Sequence, residues 1–258
     1  MKLYEKHNYL NSNIKYIKNG IITEYDMKNG GISILYEKKL ITDKEYNYLM
    51  NNLNKEERNV TIGKWLKENK NISKELMNGF KEARKLFFEL NNIKDEDVLS
   101  IKKDAIFLIN RTVNIENIND NYCFRQKNQY TSYINILKKE FYYSMFNNSF
   151  EIKGFTENVL EKQENFLFNF VKNCLVIDSN GMKDKLFIKL LEFKDNFINN
   201  KLDFNYYYDI IFEGYLFKYD KYTLLMKKLS KEDLLNNPYF NKSNNLKFII
   251  ELISILLS

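Results

Sequence analysis

Two aspartates carry the chemistry that this sequence offers. Asp26 ends an apolar run, Gly20-Ile-Ile-Thr-Glu-Tyr-Asp26, and Asp104 falls between two others, Val98-Leu-Ser-Ile101 and Ala105-Ile-Phe-Leu-Ile109. If the strands formed by these runs are neighbours, both carboxylates project at one edge of a sheet. Hard oxygen donors with no histidine or thiolate beside them suit Mg²⁺ or Mn²⁺, ions that keep several waters and accept phosphate oxygens. Two such ions about 3.5–4 Å apart activate a 3′-hydroxyl and stabilise a leaving pyrophosphate. Taken singly, Asp26 also reads as a strand end and Asp104 as a turn former.

Composition narrows the alternatives. The chain has 258 residues, with 40 basic against 34 acidic side chains and a net charge of +6. That length suits one large domain or two small ones, and 44% hydrophobic residues are enough to bury a core. A single histidine, His7, and two cysteines, Cys123 and Cys174, exclude an H-E-x-x-H hydrolase, a cysteine–histidine zinc cluster and a disulfide framework. The eight glycines form neither GxxxxGK[ST] nor GxGxxG. Carboxylates, lysines and backbone remain. The N-terminal stretch lacks the apolar core of a signal peptide. The longest apolar run, Phe248 to Leu257, contains Glu251 and falls short of the roughly 20 residues a bilayer needs. No membrane is expected, and the expected location is the cytoplasm, that of a host if the source is viral. The Lys/Asn/Ile/Tyr bias fits an AT-rich genome such as a viral one.

The elements that must position the two acids are legible in outline. Gly20–Asp26 reads as a strand bounded by Asn19-Gly20 and broken by Gly30-Gly31. Residues 32–53 read as helical, with Thr42-Asp-Lys-Glu45 a capping box opening a second helix. Residues 55–92 continue as charged amphipathic helices. Ser73-Lys-Glu-Leu opens a strong one, with Leu76, Phe80, Ala83, Phe87 and Leu90 at spacings of 3 and 4. The period then changes, and Lys102-Lys103-Asp104 reads as a three-residue break in a hairpin. Phe150–Lys153 is a further strand ended by Gly154, and from Thr156 onward the pattern is mostly helical. The fold class is α+β: a small antiparallel sheet with inserted helices and an all-helical end.

At these residues the chain resembles a known family. Glu24-Tyr-Asp26-Met-Lys-Asn-Gly-Gly-Ile-Ser33-Ile34 is similar to motif A of the family B DNA polymerases, D-F-x-S-L-Y-P-S-I, with Asp26 on its metal-binding Asp. Ser100-Ile-Lys102-Lys-Asp104-Ala-Ile-Phe-Leu108 resembles motif C, Y-G-D-T-D-S-V-F-V, with Asp104 on the second Asp. Lys127-Asn-Gln-Tyr130 resembles the K-x-Y element at the primer end, and Phe150-Glu-Ile-Lys153-Gly154 the strand that leads into the thumb. The four stand in the family's order and cover about half of residues 20–155. The resemblance implies a much reduced polymerase palm: an N-terminal palm segment at 1–50, reduced fingers-like helices at 51–97, palm hairpin and strands at 98–155, and a helical thumb-like region at 156–258. It implies template-dependent nucleotidyl transfer with Asp26 and Asp104 on Mg²⁺ or Mn²⁺, and primer-template DNA or RNA and nucleoside triphosphates as partners. Lys127, Tyr130 and Lys153 would contact nucleic acid.

Several positions depart from the pattern. The two aspartates are only 104 − 26 = 78 residues apart, and the K-x-x-x-N-S-x-Y-G helix motif is absent. Holding the triphosphate would then fall to Lys55, Arg58 and Lys64, or to Lys81, Arg84 and Lys85, residues that also read as solvated helix faces. Lys102 replaces the first Asp of motif C. Gly31 stands at the tyrosine that blocks a ribose 2′-hydroxyl, which implies weak discrimination against ribonucleotides; Gly30-Gly31 also reads as a plain tight turn. Lys102 and the missing fingers motif support an alternative, a catalytically inactive palm-derived subunit that binds nucleic acid or a larger polymerase or phage complex. A third reading is an unrelated α+β protein. Tyr206-Tyr-Tyr208 with Tyr215, Phe217, Tyr219 and Tyr222 reads as a stacking surface for bases or as core. Trp65 reads as packing between helices, His7 as a surface histidine, and 246–257 as a buried last helix or a contact for a partner subunit.

Overall fold

The computed structural model describes residues 2–219, 222–225 and 230–258. Its strands are β1 Asn8–Leu10, β2 Tyr16–Ile17, β3 Ile22–Met27, β4 Val98–Lys102, β5 Ala105–Ile109, β6 Phe124–Tyr130, β7 Ser132–Ile136, β8 Lys139–Tyr143, β9 Phe150–Lys153, β10 Leu216–Tyr219, β11 Tyr222–Leu225 and β12 Phe240–Asn241. Its helices are α1 Gly30–Glu37, α2 Asp43–Asn52, α3 Lys55–Glu68, α4 Lys70–Leu90, α5 Glu157–Gln163, α6 Asn169–Ser179, α7 Lys183–Ile198, α8 Lys231–Leu235 and α9 Ser243–Leu257. The class is α+β, as the sequence predicts. Two compact units form: Met1–Asn11 with Ile21–Gln129, and Ser12–Gly20 with Tyr130–Ser258.

The first unit is built on a five-stranded sheet in the order β1-β4-β5-β3-β6, antiparallel at β1–β4, β4–β5 and β5–β3. Strand alternation sorts β3 into two faces. Tyr25 and Met27 enter a core with Ile101, Ile106, Leu108 and Phe124, and this core takes Ile34, Leu35, Leu76, Phe80, Ala83 and Phe87 from the helices. Glu24 and Asp26 therefore point to the other side. The helical stripe read from the sequence is the buried face of α4, where Phe87 stacks on Phe124 at 4.5 Å. The helix begins at Lys70 rather than Ser73, because Asn69 Oδ1 accepts the N–H groups of Asn71 and Ile72 at 3.0 and 3.3 Å. The capping box at Thr42 is present: Glu45 N–H donates to Thr42 Oγ1 at 3.3 Å, and Thr42 N–H to Glu45 Oε2 at 2.8 Å. Gly79 lets α4 approach α1 closely, since a Cβ there would lie 2.1 Å from Ile34 Cγ2.

The second unit contains a four-stranded sheet, β2-β7-β8-β9, and a three-stranded one, β11-β10-β12. The latter, at 216–241, corrects the expectation of an all-helical end after Thr156. Phe150–Lys153 is the strand expected, ended by Gly154 at φ 95°. The strands at 132–143 carry Tyr and Asn on the face away from the aliphatic core and so show little apolar alternation. Ile134, Ile136 and Phe141 pack against Phe168, Leu190 and Phe248 from the helices. Helix α9 is a buried last helix: Phe248, Ile249 and Leu252 are fully buried. Asn245 fastens it by donating to Tyr206 O and Tyr208 O at 2.9 and 2.8 Å and accepting from Ile210 N at 3.1 Å. Tyr206, Tyr207, Tyr208 and Tyr215 are core residues, with Tyr215 stacked on Phe204 at 4.0 Å. Phe217 packs on Tyr239 at 5.9 Å; the side chains of Tyr219 and Tyr222 lie outside the described residues. Trp65 packs against the first unit's core. Among the described residues, no helix is long and apolar enough to cross a membrane.

Candidate active site

The ladder between β3 and β5 brings the two acids together. Asp26 lies opposite Ala105, and Met27 N–H donates to Asp104 O at 3.0 Å. The hairpin tip is shorter than the three-residue break expected: Lys102 pairs with Ala105, which leaves Lys103 and Asp104 as the turn. Lys103 takes the left-handed conformation at φ 54° and is held from two sides. Its N–H donates to His7 O at 2.6 Å, and its carbonyl accepts from the Arg84 guanidinium. Arg84 also donates to Tyr4 O at 2.9 Å through Nε. Its side chain is fully buried, and burial pulls the guanidinium down to about 10 against the opposing pull of Asp104. It is still a cation at neutral pH. His7, expected at the surface, is half-buried beside this tip; burial first, then Arg84, Lys81 and Lys103, lower its pKa.

After β3 the chain turns through Asn29 at φ 52° and enters α1 at Gly30. Neither Gly30 nor Gly31 has a positive φ, so Asn29 makes the bend and the glycines form the first helical turn. No side chain caps this terminus. The amides of Gly30, Gly31 and Ile32 have no partner within the helix, and all three residues line the same cleft as the acids. A Cβ on Gly31 would meet only Ile62 Cδ1, at 3.4 Å.

The cleft has a volume of about 590 Å³. Asp26 and Asp104 line it together with Lys28, Lys55, Arg58, Lys103, Arg125 and Lys127, and Ile62, Leu66, Leu76 and Phe80 form an apolar wall. Lys103 Nζ lies over the Phe80 ring, 5.3 Å from its centroid. Glu24, buried on the face it shares with Asp26, accepts from Lys127 Nζ at 3.2 Å and Asn128 Nδ2 at 2.8 Å. Burial raises the Asp26 pKa, and the nearby Asp104 charge raises it further; Lys127 opposes this, Glu24 adds to it and Lys55 opposes it. Among the described residues, no side chain or backbone group donates a hydrogen bond to either the Asp26 or the Asp104 carboxylate.

Of the residues singled out in the sequence, Asp26, Asp104, Arg58, Gly31, Lys127 and Lys55 meet in this cleft. The others lie elsewhere. Lys64 is exposed on α3 outside it. Lys81 and Lys85 border a separate groove with Tyr4, Asn78 and Glu82, and Lys85 pairs with Glu89 at 3.9 Å. Arg84 supports the hairpin tip from below instead of facing the cleft. Tyr130 and Lys153 belong to the second unit, where Tyr130 is buried and both donate to Glu151. Lys28, Lys103 and Arg125 are additions from the structure. The first two had a signal, being two residues after Asp26 and one before Asp104. Arg125 had none, because β6, Phe-Arg-Gln-Lys-Asn-Gln-Tyr, is too polar to read as a strand.

The residues fit a divalent ion of the hard, oxygen-preferring kind. Two carboxylates without hydrogen-bond donors share the cleft, and Mg²⁺ is commonly held by one or two carboxylates plus substrate phosphates. Larger clusters are absent: among the described residues, no group of three or more His, Cys, Asp or Glu side chains is placed to share an ion.

The whole chain, residues 1–258, matches the family model described as bacteriophage PBS1 gene 130 protein, and the chain belongs to that phage protein family. No curated protein matches it.

Proposed function

We propose that this phage protein carries out template-dependent nucleotidyl transfer, in the manner of a DNA polymerase or primase, at the cleft of its first unit. The observation that carries the reading is the meeting of Asp26 and Asp104, 78 residues apart in sequence, in a cleft lined by six cationic side chains. The sheet order adds support: the motif C-like hairpin β4–β5 lies directly beside the motif A-like strand β3, as a reduced family B palm requires.

Each residue's part follows from its place. Asp26 and Asp104 would hold Mg²⁺ or Mn²⁺, and the bound ion supplies Lewis acidity to the reacting oxygens. Asp26 acts as its carboxylate, a form that burial and the Asp104 charge disfavour and the neighbouring Lys127 favours. Lys55, Arg58 and Lys103 offset the charge of a nucleoside triphosphate, and the α1 amides at Gly30–Ile32 donate to phosphate oxygens. Ile62, Leu66 and Leu76 give an apolar wall for the nucleotide, and Gly31 leaves room beside it. Glu24 keeps Lys127 at the cleft edge, towards the primer-template. Because phosphoryl transfer depends on positioning and charge neutralisation, this inventory suffices.

Primer extension with Mg²⁺ and with Mn²⁺, run beside Asp26→Asn and Asp104→Asn, tests the reading. Extension lost in both variants supports it; extension unchanged in either overturns it. One observation favours a second reading. Lys102, in β4, stands where the resemblance has an acid, which suits an inactive palm-derived subunit for nucleic acid or a larger polymerase complex. Salt-sensitive binding of DNA or RNA with no extension in either metal would select that reading.

A further inference from the structure

The cations of the cleft differ from many elsewhere on the chain. Lys15, Lys38, Lys85, Lys94 and Arg111 each pair with a carboxylate. In the cleft, Lys28, Lys55, Lys103 and Arg125 have no ion-pair partner among the described residues. The Arg58 guanidinium touches the Met50 sulfur at 3.4 Å, and no acid. Five unpaired cations thus converge on one concavity, with Lys127 at its edge committed to Glu24.

We propose that the cleft binds a linear polyphosphate through these fixed cations, without a divalent ion, so that the anion enters before any metal. The inference deepens the nucleotidyl-transfer reading and takes from it the triphosphate as the natural ligand. With Lys127 balanced by Glu24, five cations against two carboxylates give the lining a formal charge of 5 − 2 = +3. A nucleoside triphosphate carries roughly four negative charges at neutral pH, since a terminal phosphate loses its second proton near pH 6. Most of that negative charge is balanced with no ion added.

A dication entering first would meet the opposite balance: two carboxylates surrounded by cations, with the Arg84 guanidinium buried beneath the tip that carries Asp104. Once the anion is seated, that repulsion is cancelled and phosphate oxygens complete the ion's ligand set. The apolar side of the cleft strengthens the grip, because ammonium groups beside Ile62, Leu66 and Phe80 are screened less than groups in open water. Lys103 is the most constrained of them. Its backbone is tied to His7 and Arg84, and its ammonium rests over Phe80, so its charge is held in place before the ligand arrives.

Calorimetric titration of inorganic tripolyphosphate into the full chain, in EDTA and at low salt, tests the proposal. Binding is expected without metal. It should weaken about tenfold in Arg58→Ala and in Lys103→Ala, the loss of one contact to a charged group, and recover in Lys103→Arg. Asp26→Asn, which removes a negative charge from the wall, should tighten it by about threefold. Lys64→Ala and Lys85→Ala, outside the cleft, should leave it within about twofold. Circular dichroism and melting of each variant confirm that it is folded. Binding that appears only after Mg²⁺ is added overturns the proposal, as does equal weakening by Lys64→Ala and Lys103→Ala. The two readings fail separately. Tripolyphosphate binding in EDTA without primer extension removes the transfer reading and leaves the polyphosphate site; extension together with strictly Mg²⁺-dependent binding does the reverse.

Discussion

Asp178, in the second unit, is 4% exposed, and its carboxylate is fully answered: the Tyr16 hydroxyl donates to one oxygen and Lys18 Nζ to the other at 2.8 Å. Asp26, in the first unit, is half-buried, receives no hydrogen bond among the described residues and faces a second carboxylate, Asp104. The same residue type is treated in opposite ways. Asp178 ties β2, which carries Tyr16, to α6 within its unit, and its charge stabilises the fold. Asp26 is held at a cost, since burial and a like charge both disfavour its ionised form. Protein folds keep such an arrangement where a ligand arrives to satisfy it. On the proposed function the difference separates a structural acid from a chemical one, and it can be attacked experimentally from both ends.

The largest expected effect is on catalysis. Asp26→Asn and Asp104→Asn should each lower primer extension by about 10³-fold or more, the scale seen when charge stabilisation at a reacting centre is removed. Asp178→Asn should leave extension within about twofold once folded protein is matched. Equal losses in all three would erase the distinction. Next comes the framework that carries the chemical acids. In Gly79→Ala the new Cβ must displace Ile34, and a destabilisation of about 1–3 kcal/mol is expected from overpacking between α1 and α4. A lowered midpoint in urea checks it, and an unchanged midpoint would mean that the close approach of these helices matters little.

The third prediction sets the two aspartates against each other by sign. The folded-state pKa of Asp26 is raised above its unfolded value, so its contribution to stability is greatest in acid and is lost as pH rises through the raised pKa. At pH 7 its ionised form destabilises the fold. Asp26→Asn should accordingly melt above the parent at pH 7, with the advantage shrinking as pH falls into and below the ordinary aspartate range. Asp178→Asn should melt below the parent at pH 7, by several degrees for the roughly 1.5–3 kcal/mol of its charged hydrogen bonds. Shifts of the same sign would refute the contrast. The smallest effect concerns the sugar. Gly31→Tyr projects a ring towards Ile62 and into the cleft, and should reduce ATP use relative to dATP by about tenfold. An unchanged ATP to dATP ratio would remove Gly31 from any part in sugar choice.

How far the site could be read from sequence depended on which residues lie near one another along the chain. Asp26 and Asp104 stood out because each ends or joins an apolar run, and the strands on either side formed as their alternation required. Arg58 and Lys127, both singled out in the sequence, line the cleft. Arg84 shows the limit: as one of three cations on α4 it was indistinguishable from Lys81 and Lys85, yet helical phase turns it inward beneath the hairpin while the others face outward. The polar strands β6 and β7 escaped notice because one or both faces carry Arg, Asn, Gln and Tyr, and apolar periodicity is the primary local signal that strands give. Pairing partners such as β2 with β7, more than a hundred residues apart, have no local signal at all.

By itself, the sequence determined the fold class, the helices between β3 and β4 with the Thr42 capping box, the hairpin that lifts Asp104 and the inventory of hard oxygen donors. Each follows from spacing, turn chemistry or composition, which act between near neighbours in the chain. Tertiary structure alone decided that Asp26 and Asp104 share a cleft, that five cations there lack acidic partners, and that Asp178 is satisfied where Asp26 is not. Those outcomes depend on strand order and on how far each side chain is drawn out of water, and a carboxylate's proton affinity follows the charges and dielectric around it in space.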